Sequence, residues 1–190
     1  GQSLVTDGPG SVSLKGSGDN AEGSADGAVI TAVGSTVAAA PVSVECWVQT
    51  GKYGTNTSFI CGQTHVTSGV FLTDFGLWMD NSTGFPRFLA MVGGNNITVT
   101  GTTVLRDTGI HHLAGTIDGS RVCRLYVDGV LQSSGTPGGS GTTLDASGSF
   151  RIGKPPVGPE SGTNAAFKAW DGDICEVAVY SRALSAGEVL

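Results

Sequence analysis

The chain has 190 residues, a length that one all-β domain commonly reaches, so residues 1–190 are interpreted as a single domain. Charged residues make up only 14% of the sequence, and Gly accounts for 31 positions, about twice its usual share of ~7%. The net charge of −6, with no basic run among ten Lys and Arg residues, argues against nucleic acid as a partner. No apolar stretch approaches the ~20 residues that cross a bilayer, so no membrane insertion is expected.

Short runs of alternating apolar and polar residues, separated by Gly, Asn, Pro and Thr, predict β-strands through the first half of the chain. In the clearest of them, Cys46 shares a face with the neighbouring valines and Trp47 lies on the other face. The strands predicted before residue 101 are Ser11–Lys15, Ala28–Val33, Val42–Thr50, Ser58–Gln63, Val70–Met79, Pro86–Val92 and Asn96–Thr100.

The stretch Ile110–Gln132 predicts a β-meander of three strands. Its apolar runs are separated by two Asp-Gly pairs, Asp118-Gly119 and Asp128-Gly129. Asp tolerates a left-handed backbone and Gly adopts one freely, so both pairs are predicted to form the primed turns of β-hairpins. The strand between them alternates apolar and polar residues, which indicates one buried face.

The remainder of the chain continues the all-β pattern. Phe150–Ile152 and Asp171–Tyr180 are predicted strands, with Gly-, Ser- and Pro-rich loops before each. Ser185 and Glu188 have the spacing of a capping box, so a short helix is predicted to begin near the last residues, which favours a module of a longer protein. Ten to thirteen short strands at this spacing predict an antiparallel β-sandwich of two sheets.

Three blocks resemble the LamG-like (laminin G-like, pentraxin-like) branch of the concanavalin A-like lectin/glucanase superfamily. They are VSVECWVQT at 42–50, HHLAGTIDGS followed by RLYVDGVL, and GDICEVAVYSRALSAGEV at 172–189. The resemblance implies a jelly roll of two curved antiparallel sheets. Two departures stand out: Cys175 replaces an Asp of the family pattern, and Lys154 to Val157 replaces the acidic cluster with which pentraxins bind two calcium ions.

The four cysteines lack the spacing of a zinc site. An even number permits two disulfides in an oxidising compartment, with three possible pairings. Cys46, Cys123 and Cys175 each share strand parity with apolar neighbours, Cys175 with Val177 and Val179. Because free Cys is commonly buried, the sequence favours buried thiols over disulfides.

Acidic residues raise two chemical hypotheses. Asp171, Asp173 and Glu176 have a spacing similar to the catalytic carboxylates of the superfamily's glucanases, which makes a glycoside hydrolase a minor alternative. Asp19, Asp171 and Asp173 are candidate ligands of a structural Ca²⁺, because they lie in predicted loops or strand ends. The competing interpretation is that these are solvated turn residues, since no dense array of Asp residues is present.

Sugar binding requires an aromatic ring for stacking and polar groups that fix the orientation of the ligand. Trp170 is the first candidate, with Trp78 and Tyr53 next, and Asn164 is a candidate polar contact in the long loop before Trp170. Three sequons begin at Asn56, Asn81 and Asn96.

The adjacent histidines His111 and His112 are predicted to be structural, because neighbouring residues of a strand point to opposite faces and cannot share one metal. The sequence as a whole predicts a non-catalytic, lectin-like binding or adhesion module that recognises glycans or proteins on an extracellular, cell or virion surface. The alternative is a structural virion module, in a phage capsid or tail, that contacts other proteins or other domains of the same polypeptide and binds no sugar.

Overall fold

A computed structural model describes residues 2–3, 12–14, 37–50, 57–68, 70–144, 148–155 and 167–189 of the chain. Thirteen β-strands lie within these ranges: β1 (Gln2–Ser3), β2 (Val12–Leu14), β3 (Val42–Thr50), β4 (Thr57–Thr67), β5 (Val70–Met79), β6 (Pro86–Val92), β7 (Asn95–Thr100), β8 (Ile110–Ile117), β9 (Cys123–Val127), β10 (Val130–Gly135), β11 (Ser149–Ile152), β12 (Phe167–Ala169) and β13 (Gly172–Tyr180). The predicted strand Ala28–Val33 lies outside the described residues.

The strands form two sheets, which confirms the predicted sandwich. The larger sheet has the order β1-β13-β3-β8-β9-β10, and β2 also pairs with β13. The smaller sheet has the order β11-β4-β5-β6-β7, and β12 pairs with β4. All described pairs are antiparallel except that of β12 with β4, which is parallel. Strands distant in the chain, such as β13 and β3, are therefore neighbours in space.

One hydrophobic core fills the space between the two sheets, because alternate residues of each strand point inward. In β3 the inward residues Val44, Cys46 and Val48 are at most 1% exposed, and the residues between them are half-buried. Leu125 of β9 and Phe75 of β5 are fully buried in the same core. The alternation seen in the sequence thus corresponds to a buried face on both sheets.

The sheets approach each other closely where β8 crosses β6. Gly115 of β8 lies against the ring of Phe88, which is fully buried. A Cβ atom at position 115 would overlap this ring. The glycine is therefore required by packing between the sheets.

The two Asp-Gly pairs adopt different turns. At Asp128-Gly129 both residues have positive φ, 50° and 74°, as the predicted type I′ turn requires. The prediction is wrong for Asp118-Gly119, where the backbone instead turns over four residues and Arg121 takes the left-handed conformation, φ 67°. The Asp118 carboxylate stabilises this longer loop by accepting hydrogen bonds from the amides of Ser120 and Val122 and from Arg124.

A β-bulge interrupts β13, and the prediction that Cys175 shares the buried face of Val177 is wrong for this reason. The register of β13 on β3 shifts between Cys175 and Ala178, and Glu176 has a φ of 51°. Ile174 and Val177 both enter the core as a result, whereas Cys175 is half-buried rather than a core residue.

All four cysteines are free thiols, as the sequence favoured. The Sγ atoms of Cys46 and Cys61 lie 3.9 Å apart in the core. Burial and the contact with Cys61 raise the pKa of the Cys46 thiol well above its usual range, so this thiol stays protonated.

Residues 182–189 cover half of the outer face of the larger sheet. Leu184 and Val189 pack on Ala114 and Tyr126, which point outward from β8 and β9. The hydroxyl of Ser43 accepts a hydrogen bond from the Leu184 amide. Ser185 and Glu188, the predicted capping-box pair, hydrogen-bond to each other over this face, but they close a single turn, and no helix forms in the described residues 182–189.

Candidate binding surface

The other half of the outer face of the larger sheet is the candidate binding surface, which we call the Trp47 surface. In an antiparallel sheet, residues directly opposite each other share a face. One row across the sheet therefore places Cys175, Trp47 and His112 side by side on the outside. The next row toward the end of the strands consists of Asp173, Gln49 and Ile110. These six positions define the Trp47 surface.

Trp47 is a half-buried indole held in place by its neighbour on β8. Its ring centroid lies 5.0 Å from that of His112, with an angle of 51° between the planes. The His112 side chain is nearly buried, 5% exposed, and so forms a fixed support for the indole. A partly exposed aromatic ring with a rigid support can stack against a ligand at low entropic cost.

The Glu45 carboxylate contacts both Tyr180 of β13 and His112 of β8, the residue that supports the Trp47 ring. Glu45 Oε1 accepts a 2.5 Å hydrogen bond from the Tyr180 hydroxyl, and Glu45 Oε2 lies 3.5 Å from His112 Nε2. Burial raises the pKa of Glu45, but the interactions with His112 and Tyr180 outweigh this effect and hold the pKa below its usual value. The same hydrogen bond, with burial, raises the pKa of Tyr180 to about 12. Glu45 is thus an anion at neutral pH, and its contacts hold the side chains of Tyr180 and His112 in place.

The loop before β8 borders the Trp47 surface. Gln49 donates from Nε2 to the backbone oxygen of Thr108, 2.6 Å away, and so ties this loop to β3. Thr108 has a φ of 66°, an uncommon conformation for a β-branched residue. Ile110 is 63% exposed, so the rim of the surface has an accessible apolar side chain.

His111 connects the same loop to the hairpin between β9 and β10. Its Nε2 lies 3.0 Å from Asp107 Oδ1, and its Nδ1 lies 2.8 Å from Asp128 Oδ2. Burial lowers the pKa of His111, but the two carboxylates outweigh burial and raise the pKa above its usual value. His111 and His112 therefore have separate structural contacts, in agreement with the role predicted for them.

The outer face of the smaller sheet offers a weaker site. Phe59, Phe71 and Trp78 form an aromatic cluster there, and all three are at most 8% exposed. An open cleft of about 220 Å³ lies beside the cluster, lined by residues that include Phe71, Leu89 and Thr98. Because none of the rings exposes a face, the cleft cannot provide aromatic stacking.

The tryptophans nominated from the sequence are not available for stacking. Trp78 is 0% and Trp170 is 1% exposed, so the prediction of a sugar platform on them is corrected. Trp78 is packed in the aromatic cluster of the smaller sheet, and Trp170 belongs to the core between the sheets. Tyr53 and Asn164 lie outside the described residues.

Trp47 is a candidate ligand contact that is absent from the aromatic residues predicted from the sequence. The signal was present, because the alternation of Val42–Thr50 places Trp47 opposite the apolar face of its strand. Its exposure could not be read from the same pattern, since it depends on which part of the sheet residues 182–189 cover.

Three of the acidic residues proposed for calcium or catalysis, Asp171, Asp173 and Glu176, lie in or directly before β13. Asp173 is half-buried on the Trp47 surface, and Asp171 precedes the strand and is also half-buried. Glu176 lies at the bulge of β13, which separates it from Asp171 and Asp173 along the strand. Asp19 lies outside the described residues. Within the ranges that the structure describes, no three His, Cys, Asp or Glu residues come together as a metal site.

The three sequons differ in accessibility. Asn81 is 2% exposed and donates to the Ser58 hydroxyl, whereas Asn96 is exposed on β7. Asn56 lies outside the described residues. A buried asparagine cannot accept a glycan in the folded state, so Asn96 is the accessible sequon among the two described.

The two sheets form an antiparallel β-sandwich with a half-buried tryptophan on one outer face. Residues 22–190 match a laminin G group of the Concanavalin A-like lectin/glucanases superfamily. The chain therefore belongs to this superfamily. No curated protein matches the sequence.

Several solved structures have the same fold. Domains LG4-5 of the mouse laminin alpha1 chain are 19% identical with a TM-score of 0.64, over 98% of this chain and 47% of that chain. The heptameric SAP-like pentraxin of Limulus polyphemus is 19% identical with a TM-score of 0.61, over 80% of this chain and 69% of that one. The CBM40 of Ruminococcus gnavus IT-sialidase, bound to alpha2,3 sialyllactose, is 15% identical with a TM-score of 0.62, over 80% and 82%.

A Trypanosoma rangeli sialidase is also similar, with 20% identity and a TM-score of 0.59 over 78% of this chain. The chain spans only about a fifth of that enzyme, 22%, and about half of the laminin fragment. At these identities the similarity shows the fold. In the described ranges, no helix has the length and apolar character to span a membrane.

Proposed function

We propose that the chain is a non-catalytic, lectin-like module that binds glycans on extracellular surfaces through the Trp47 surface. The observation that carries the proposal is the half-buried Trp47 ring on the outer face, supported by His112 at 5.0 Å and fixed through Glu45. A pyranose ring presents a C–H face to such an indole, while its hydroxyls hydrogen-bond to polar groups at the edge of the ring. Asp173 and Gln49 lie in the adjoining row and provide these groups.

The comparisons support a binding role. One structural neighbour is a carbohydrate-binding module bound to alpha2,3 sialyllactose, and others are laminin domains and a pentraxin. We propose no hydrolysis for this chain, because Asp173 and Glu176 are separated by a bulge and Glu176 is exposed. Binding of Ca²⁺ near Asp171 and Asp173 stays a prediction, and a melting temperature that is the same in calcium and in chelator would contradict it.

The test is a glycan array probed with the wild-type chain and with Trp47→Ala. We expect binding to at least one glycan, and a loss of about tenfold or more in Trp47→Ala, since aromatic anchors commonly contribute 2 kcal/mol or more to binding. Leu131→Ala is the matched control, because Leu131 is 49% exposed on the same sheet and distant from the Trp47 row. Equal binding by wild type and Trp47→Ala would place the site elsewhere.

A second function is favoured by exposed apolar side chains. Val104, Ile110 and Val130 are 45%, 63% and 61% exposed, and exposed apolar side chains mark a protein interface where they form a continuous patch. We infer from them the alternative of a protein-binding or structural module, including a virion module in a capsid or tail. Light scattering distinguishes the two roles, because a structural module assembles without any glycan and a lectin binds glycan as the dispersed chain.

A further inference from the structure

The Trp47 surface carries acidic groups close to the indole. Glu45 lies two residues before Trp47 on the same strand and points to the same face. Asp173 lies diagonal to Trp47 on β13, a separation of about 8 Å between the two positions in an ordinary sheet. The carboxylates therefore approach the indole from two directions.

At the positions of the Trp47 surface that the structure describes, no Lys or Arg lies beside these carboxylates, and Glu45 has the His112 ring as its neighbour. Arg182 lies over the ring of Tyr180 on the covered half of the face, and its guanidinium is paired with Glu188 at 2.8 Å. The chain as a whole has a net charge of −6, so the long-range field has the same sign.

We propose that the Trp47 surface selects uncharged glycan ends and rejects those that end in sialic acid. The inference rests on the proposed function and names its class of ligand: a neutral pyranose, whose hydroxyl protons the Asp173 carboxylate accepts. Among the described residues of this surface, an anionic ligand would find no Lys or Arg and would face two carboxylates of its own sign. The electrostatics are thus opposite to those required for a sialylated ligand such as the one bound by the Ruminococcus gnavus module.

The size of the selectivity follows from the geometry. For a ligand charge held over the indole at about 8 Å from each carboxylate, the repulsion in water weakens binding about two- to threefold per carboxylate and about fivefold for the two together. Salt screens this repulsion, because the Debye length is about 10 Å at 0.1 M and about 3 Å at 1 M. The preference should therefore be largest in dilute buffer and shrink as salt is added.

The test compares glycans in matched pairs that differ only by one terminal sialic acid, lactose and α2,3-sialyllactose among them. We expect the neutral member of a bound pair to bind about fivefold tighter in dilute buffer, with the gap closing at 1 M salt. Asp173→Asn should reduce the preference to about two- to threefold while neutral binding persists. Thr98→Lys changes the net charge by the same +1 on the outer face of the other sheet, and it should leave the preference unchanged.

The outcomes separate this inference from the proposed function. Equal or tighter binding of sialylated glycans, abolished by Trp47→Ala, would overturn the selectivity and leave the lectin function in place. A preference that is the same in wild type and Asp173→Asn would overturn the assigned cause. If Thr98→Lys alone changed the preference, the smaller sheet would be the binding face and the inference would be wrong. If no glycan of any charge were bound, the proposed function would fail, and the inference with it.

Discussion

The outer faces of the two sheets each carry a tryptophan, and the two residues have opposite environments. Trp78 of the smaller sheet is 0% exposed and makes an edge-on contact with Phe59 at 4.8 Å. Trp47 of the larger sheet is half-buried and contacts a polar ring, His112. A ligand can therefore reach an outward-pointing aromatic residue only where part of its ring stays exposed to solvent.

The difference arises from what lies over each sheet. On the larger sheet, residues 182–189 pack on Ala114 and Tyr126, whereas Trp47 stays half-buried. On the smaller sheet, Phe59, Phe71 and Trp78 bury one another, with Leu89 packed against them. Burial by hydrophobic neighbours stabilises the fold, whereas the polar neighbours of Trp47 keep a partly hydrated ring in one orientation.

The largest expected effect is a difference in the free energy of unfolding between variants in which one or the other of these tryptophans is replaced. Trp78→Ala should lower the free energy of unfolding by about 3–5 kcal/mol, because it opens a cavity in a packed aromatic cluster. Trp47→Ala should cost about half as much, since less of its ring is removed from water on folding. Urea denaturation of both variants measures the difference. Equal losses would show that the two faces are covered to the same extent.

The second prediction concerns the segment that covers half of the larger sheet. Leu184→Ala should lower the free energy of unfolding by about 2–3 kcal/mol, because Leu184 is 6% exposed and packs on Tyr126. Leu131→Ala is the control, expected to change stability by less than about 0.5 kcal/mol because this side chain is 49% exposed. A Leu184→Ala chain as stable as the control would mean that the segment does not pack on the sheet in solution.

The architecture was largely predictable, because period-two alternation is a local signal. The bounds predicted for Val42–Thr50, Val70–Met79 and Pro86–Val92 are those of β3, β5 and β6. The Asp128-Gly129 turn was predictable for a similar reason, since its backbone conformation is determined by the two residue types. The family resemblance in the blocks around β3, β8–β9 and β13 is likewise confirmed by the match over residues 22–190.

The site was not predictable to the same degree. The bulge at Glu176 adds one residue to β13, and nothing in the sequence pattern marks it, so the parity of Cys175 was assigned wrongly. Asp118-Gly119 is the same dipeptide as Asp128-Gly129. It forms a longer loop because the Asp118 carboxylate accepts hydrogen bonds from the amides of Ser120 and Val122. The exposure of Trp47 and the burial of Trp78 depend on contacts between distant segments, which alternation along one strand cannot reveal.

The third prediction tests whether Glu45 positions the support of Trp47. Glu45→Gln keeps the shape of the side chain but removes its charge, so it should lower stability by about 1 kcal/mol through weaker bonds to Tyr180 and His112. The pKa of Tyr180, raised to about 12 in the wild type, should fall toward its usual value in a spectroscopic titration of the variant. Tyr180→Phe is the matched partner in a double-mutant cycle. A Tyr180 pKa that does not move would exclude the Glu45 carboxylate as its cause.

The smallest expected effect is a pH dependence at the end of the Trp47 surface. The pKa of His111 is raised above its usual value by Asp128 and Asp107, which outweigh the opposite effect of burial, and the pKa of Asp107 is lowered by His111 and the Gly109 amide. A histidine whose pKa is raised by folding contributes its full stabilisation at pH values below its unfolded pKa of about 6.5. This contribution is lost as the pH rises through the pKa of the folded state. Urea midpoints should therefore decrease from pH 6 to pH 8, and His111→Gln should remove that decrease. A wild-type midpoint that stays constant across this range would show that His111 is not protonated between the two carboxylates. The loop carrying Thr108 would then be held to β3 by the Gln49 hydrogen bond rather than by the charge of His111.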